Sequence, residues 1–320
     1  MNDSVKYFTD INNVKNTLDK YGVAIIPSIL NNEECDLMVN DMWDYLEHIT
    51  QKWHKPINRK DDTTWKQMYE LNRESLIFQF WNIGQSQMCW NVRQNPKIVD
   101  IFAKIYSVKP TEIASSFDGA SIQFPPEITG FGWRENSQPW FHVDHSYLDS
   151  TFKNFQSWVT AYDVNDDDAT LVVLESSHLY HKECGKTIQV KSKKDFTMLN
   201  NEQLSFYLSK CKPVHISCPK GSLVLWDSRT VHYACEPTMK RTKSNIRCVS
   251  YLCYTPKVLI DDDNYERRQT AFKYLQTTNH DPTKVTFKYN TPYDDTDDVE
   301  LFITKINKPV LTELGKSLID

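Results

Sequence analysis

The sequence predicts a mainly β protein with flanking helices, and three observations carry that reading. Short runs rich in β-branched and aromatic residues recur between about residues 113 and 258. Turn-forming clusters such as Asn165–Asp168 and Pro219-Lys-Gly221 separate several of them. The stretch before about residue 110 instead carries helix starts and helical spacing. Many short strands in one region point to a sandwich or barrel, here with helices packed outside it.

Taken in order, Tyr21-Gly-Val-Ala-Ile-Ile-Pro27 reads as a short buried strand, closed by a proline that cannot donate to a ladder. Asn31 then stands three residues before Glu34, the spacing of a capping box for a helix reaching to about Thr50. Asn95 followed by Pro96 marks a second helix start, opening Lys97 to Tyr106. The expected strands of the middle zone are Ala120–Phe124, Trp140–Asp144, Gln156–Tyr162, Thr170–Leu174, Ser222–Trp226 and Ile246–Tyr254. A charged helix around Glu266–Gln276 and an irregular polar tail follow. The acidic cluster Asp294-Asp-Thr-Asp-Asp298 lacks the spacing and glycine of a calcium loop and reads as a solvated loop. No repeat or linker divides the chain, so the expectation is one domain over 1–320. Its parts are a mostly helical 1–112, a β core over 113–258 and a helix with tail over 259–320.

Composition removes several function classes. At 40% hydrophobic and 25% charged residues, the balance is that of a soluble globular protein. A net charge of −5 with mixed signs offers no basic face for nucleic acid. No apolar run is long enough to span a membrane, and the polar start MNDSVKYFTD does not read as a signal peptide. The eight cysteines show no C-x-x-C pair, which suggests reduced thiols in a cytoplasmic setting rather than a disulfide framework.

The first chemical signal is Trp140-Phe-His142-Val-Asp144. On a strand, residues two apart share a face, so His142 and Asp144 are placed to share one ion. In a chain with nine His, roughly one His-x-Asp arises by chance, so the tripeptide counts through its setting in an aromatic-rich strand. A third ligand must come from elsewhere. His232 lies just past the run Gly221–Trp226, and read alone it is equally a loop histidine. Two His and one carboxylate form the facial triad of non-haem Fe(II) oxygenases, which leaves coordination positions open.

Arg247 gives that set its context. It interrupts Ile246–Tyr254, a strand apolar on both faces, where a permanent charge needs an anionic partner. Its planar fork suits the distal carboxylate of 2-oxoglutarate, and the competing reading is a structural ion pair. Arg241, in the polar turn Lys240–Asn245, is the weaker candidate.

With these residues in place, the chain resembles the phytanoyl-CoA dioxygenase-like branch of the 2-oxoglutarate oxygenases. The likeness lies in the order of His142-x-Asp144, the Gly221-led strand with His232, and Arg247 on the last strand. It extends upstream to Tyr21–Pro27 with Asn32-Glu-Glu34. Ile83-Gly-Gln85 to Arg93–Pro96, Ser116–Gly119 and Thr277–Pro282 are similar to a sub-branch of the family. The resemblance implies a double-stranded β-helix core of the jelly-roll, cupin-like kind. It also implies Fe(II) held by His142, Asp144 and His232, 2-oxoglutarate as co-substrate held by Arg247, and hydroxylation with release of succinate and CO2. Asp144 separates the chain from halogenating relatives, which lack a carboxylate at that position. By position on neighbouring strands, Gln123 and Trp158 are placed to touch the co-substrate, although core packing explains Trp158 equally well. Two features depart from the family pattern: Ser176 stands where a turn glycine is usual, and His145 directly follows Asp144 as a candidate pocket-rim residue. His178 and His181 read as loop residues. A non-catalytic jelly-roll binding module, or a cupin enzyme that does not use 2-oxoglutarate, is the competing reading, and Arg247 disfavours the latter. Nothing in the sequence names the substrate, small molecule or protein, and no basic cluster stands out as a CoA-phosphate site.

Overall fold

The computed structural model describes residues 3–73, 76–149, 151–191, 193–289, 291–293 and 302–319. The acidic cluster at 294–298 lies outside the described residues. Eleven strands are present among them: β1 (Val23–Ile26), β2 (Ile113–Ser115), β3 (Ala120–Gln123), β4 (His142–Asp144), β5 (Phe155–Thr160), β6 (Thr170–Leu174), β7 (Phe196–Met198), β8 (Pro213–His215), β9 (Leu223–Asp227), β10 (His232–Cys235) and β11 (Arg247–Pro256).

Two antiparallel sheets result. The larger runs β1-β9-β5-β11-β2 with β3 also paired to β11, and the smaller runs β7-β4-β10-β6-β8. This is the double-stranded β-helix expected from the resemblance. The smaller sheet is built largely from strands too short to show in the sequence, β7, β8 and β10 among them. The β core is not confined to 113–258, because β1 pairs along its whole length with β9, Val23 opposite Trp226 through Ile26 opposite Leu223. The reason is burial: all four residues of β1 are buried and need both a ladder and a packed face.

Helices cover the outer face of the larger sheet. Asn31 and Glu34 form the capping box, and the helix runs Asn32–Thr50 with Met38, Met42, Leu46 and Ile49 buried at helical spacing. The helix Pro96–Tyr106 starts under the Asn95 cap and buries Ile98, Val99, Ile101 and Phe102. These side chains meet Ala24, Leu225, Cys248 and Leu252 from the sheet in one cluster. A second cluster, with Trp158, Val224, Trp226, Val249, Leu171 and Val173, fills the space between the sheets. Gly221 turns the chain into β9 at φ 75°, and a Cβ there would meet the Leu30 carbonyl oxygen at 2.2 Å. Only glycine fits that turn.

After the helix Asp262–Lys273, residues 302–319 end in a short helix, Glu313–Ser317. Arg268, fully buried, donates to the Ser115 and Leu318 carbonyls and ties that end to the sheet. All eight cysteines are buried and free. Among the described residues no helix is long and apolar enough to cross a membrane.

Candidate metal centre and its pocket

The pairing of β4 and β10 places His142 directly opposite His232. Directly opposed residues of an antiparallel pair project to the same face. Asp144, two residues along β4, joins them there. Its Oδ2 lies 3.6 Å from Nε2 of His142 and 3.4 Å from Nε2 of His232, and all three side chains are buried. Nitrogen and oxygen ligands bound about 2.1 Å from one octahedral ion lie about 3 Å apart, so the three atoms are nearly in ligand positions.

Hydrogen bonds set the rings for that task. His142 Nδ1 faces the Trp140 carbonyl at 3.2 Å and His232 Nδ1 faces the Thr230 carbonyl at 2.8 Å. A carbonyl only accepts, so each Nδ1 carries the proton and each Nε2 presents its lone pair. Trp140 stacks on His142 with centroids 4.6 Å apart and fixes the ring plane. Gln156 Nε2 donates to Asp144 Oδ2 at 2.9 Å. Burial and the neighbouring His142 push the His232 pKa down, which keeps it a neutral ligand. Burial also opposes a charge on Asp144, but His280, His142 and His232 around it hold its carboxyl well below the usual range. A neutral His232 and an ionised Asp144 are the forms that bind a cation. Among the described residues these three are the one group of His, Cys, Asp or Glu that meets the geometry of a metal site.

The triad lines a cavity of about 390 Å³, with Trp140, Trp158, Leu171, Phe196 and Trp226 as its apolar walls. Arg247 lines the same cavity and is 6% exposed. Its Nε donates to Ser121 Oγ at 2.7 Å and its Nη1 to the Ala169 carbonyl at 2.9 Å. The Trp158 ring lies 5.5 Å from the guanidinium carbon. Among the described residues no carboxylate pairs with Arg247, so the structural ion pair is not what occupies it. Arg241 is occupied in that way, between Glu127 and, at 3.2 Å, Asp168. Among the described residues the indole N–H groups of Trp158 and Trp226 are buried without a hydrogen-bond partner.

The remaining expectations fare unevenly. Trp158 lines the cavity, but Gln123 does not: its amide donates to the Gly132 carbonyl at 3.1 Å on the other side of the strand end. Ser121, on the same face of β3, reaches Arg247 instead. His145 is not a rim residue. It is fully buried between Ser228 Oγ and the Asp149 carbonyl, at 3.1 and 3.0 Å. His178 and His181 sit in the loop and helix after β6, bonded to the Asp19 and His145 carbonyls. Ser176 takes the left-handed turn itself at φ 61°, and its hydroxyl donates to the Lys20 carbonyl at 3.0 Å. His232 is the first residue of β10 rather than a loop histidine. Sequence reasoning missed Gln156 and Tyr251, although both share strand parity with Trp158 and Arg247 respectively. It also missed Gln79, Asp118, Asn279 and His280, which arrive on loops.

Comparison with known proteins agrees with this geometry. The family model for phytanoyl-CoA dioxygenase matches residues 18–240, a span that holds the triad and ends before Arg247. The chain is 23% identical over 276 residues to the Ava biosynthesis cluster protein O of Aspergillus versicolor, covering 82% of this chain and 83% of that one. A Dictyostelium discoideum protein named for the same dioxygenase is 21% identical over 298 residues, with 80% and 79% covered. A hypothetical protein of Escherichia coli shares the fold, with a TM-score of 0.57 at 13% identity, covering 99% of this chain and 86% of its own. With the matched span taking in most of the chain and the triad within it, this protein belongs to the phytanoyl-CoA dioxygenase family.

Proposed function

We propose that the chain is an Fe(II)- and 2-oxoglutarate-dependent dioxygenase that hydroxylates a C–H bond of a small molecule. The observation that carries this reading is the meeting, in one cavity, of a buried His-Asp-His triad with converging ligand atoms and a buried arginine that no carboxylate pairs among the described residues. His142, Asp144 and His232 would hold the iron, which when bound supplies the oxygen activation. Ser121 and the Ala169 carbonyl hold the Arg247 fork still, so a dicarboxylate gripped there is oriented toward the triad at little entropic cost. Gln156 keeps Asp144 aimed inward. Trp158, Trp226 and Leu171 exclude water from the reacting atoms. The balance is substrate C–H, 2-oxoglutarate and O2 in, with alcohol, succinate and CO2 out.

A cavity of about 390 Å³ suits a small molecule better than a protein side chain on its backbone. Similarity to a biosynthesis-cluster protein supports the same class. The test is succinate formation from 2-oxoglutarate by Fe(II)-loaded protein in air, with and without iron. Iron-dependent succinate is the expected result. Its absence in a protein that binds iron would return the chain to a non-catalytic binding module.

A further inference from the structure

Four carboxylates line the cavity: Asp118, Asp144, Asp195 and Asp281. Three have evident partners. Asp144 belongs to the triad, while Lys153 pairs with Asp195 at 2.7 Å and with Asp281 at 2.8 Å, and Lys284 adds a contact to Asp195 at 3.1 Å. Asp118 has none. It is 6% exposed, and no lysine, arginine or histidine among the described residues comes within ion-pair distance of it. The buried Arg93 donates to the backbone carbonyl of Asp118 and not to its carboxylate.

The carboxylate is nevertheless held. Its Oδ1 accepts from Gln79 Nε2 at 2.6 Å and from the Gly119 amide at 2.7 Å. The second oxygen has no partner among the described residues. Gly119 makes the clamp possible, since a Cβ there would meet the Phe78 carbonyl oxygen at 2.1 Å and push Gln79 away. Phe78 and Ala120 are joined by two backbone bonds, of 2.7 and 2.9 Å, that place Gln79 beside Asp118.

Register tells which end of the cavity this is. The Tyr251 amide donates to the Gly119 carbonyl, so Asp118 stands level with the part of β11 beyond Tyr251. Arg247 is four residues earlier on that strand, about 13 Å at the usual rise per residue. Trp158 lies opposite Tyr251, and Gln156, which holds Asp144, lies opposite Cys253. Asp118 therefore stands well along the strand from Arg247, about level with Gln156 and the candidate metal site, and on the opposite side of β11 from β5.

We infer that Asp118, clamped by Gln79 and Gly119, is a specificity-determining residue that takes the protonated amino group of the substrate. This rests on the dioxygenase reading for what happens next, but not for the binding itself. Arg93, which acts on this carboxylate through space, does not contact it, and an ammonium supplies both a contacting charge and the donor that a hydroxyl or an amide lacks in part. The cavity joins this polar end to apolar walls at Ile77, Trp158 and Leu171, so the ligand class is a primary amine on a hydrophobic body.

The test uses the full chain loaded anaerobically with Mn(II) and 2-oxoglutarate, titrated with benzylamine and, separately, with benzyl alcohol of the same shape. Benzylamine should bind about 10-fold or more tightly than the alcohol, and Asp118→Asn should weaken it about 10- to 100-fold while leaving the alcohol little changed. Equal affinities for the two probes, no benzylamine binding, or undiminished binding in a folded Asp118→Asn protein would each overturn the inference. The comparison of probes on the unmutated protein stands even where the variant does not fold. A parallel titration with 2-oxoglutarate separates the two readings: no binding there removes the dioxygenase proposal, whereas the amine preference is read independently.

Discussion

His142 and His232 face each other across one antiparallel pair, residues 90 positions apart in the chain and directly opposed in register. The candidate metal centre is therefore a property of strand pairing: β4 and β10 must align to the residue, or the two imidazoles point to different faces. Buried elements on both sides lock that register, β10 being paired also to β6, with His232 opposite Val173.

Metal should stabilise the folded chain by mass action. Mn(II) at 100 times its dissociation constant should add about 2.7 kcal/mol, seen as a rise in melting temperature. Asp144→Ala, His142→Ala and His232→Ala should melt cooperatively without metal and lose most of that rise. Asp144→Gly should behave likewise while adding no bulk. A full metal-induced shift in any of these variants would show that the altered residue is not a ligand.

Arg241 and Arg247 should separate cleanly. Arg241 is a structural cation between Glu127 and Asp168, with its side chain 3% exposed. Arg241→Ala should lower stability by about 1–3 kcal/mol in denaturant melts, since it leaves Asp168 buried and less well paired. Its affinity for 2-oxoglutarate should stay within a factor of two or so of the original, about 0.4 kcal/mol. A large loss of affinity with unchanged stability would exchange the roles of the two arginines.

Acid should destabilise the protein through His181. Burial pushes its pKa down to about 4 from the ordinary 6.5, and its ring stacks on Tyr147 with its Nε2 at the His145 carbonyl. The unfolded chain binds this proton first. The contribution is thus complete above pH 6.5, falls as pH drops through that value, and is lost by about pH 4, a change on the order of 3 kcal/mol. His181→Gln should flatten the stability profile across that window. An unaltered slope in the variant would assign the acid sensitivity to other groups.

Much of this was legible in the sequence. Caps at Asn31 and Asn95 marked their helices because the signal is local. His142 and Asp144 could be placed together because strand parity alone decides it. β10 was not legible: it is four residues long, follows the turn-like Ser228-Arg-Thr230, and gains its strand character from β4 and β6 on either side. Gln123 and Ser121 share a face of β3, so parity could not choose between them; the loop through Gly132 draws the glutamine away. Asp118, Gln79 and His280 carry no periodic signal at all, because loops from three parts of the chain converge on one end of the cavity.

Titration of 2-oxoglutarate into anaerobic Fe(II)-protein reads whether Arg247 grips its far carboxylate. Removing a charge-assisted contact costs about 1.5–3 kcal/mol, so Arg247→Ala should bind about 10- to 100-fold more weakly. Arg247→Lys should recover only part of this, because an ammonium cannot reproduce the fork. Iron affinity should change little in either variant. An unchanged affinity for 2-oxoglutarate in a folded Arg247→Ala protein would rule out that grip and place the carboxylate site elsewhere.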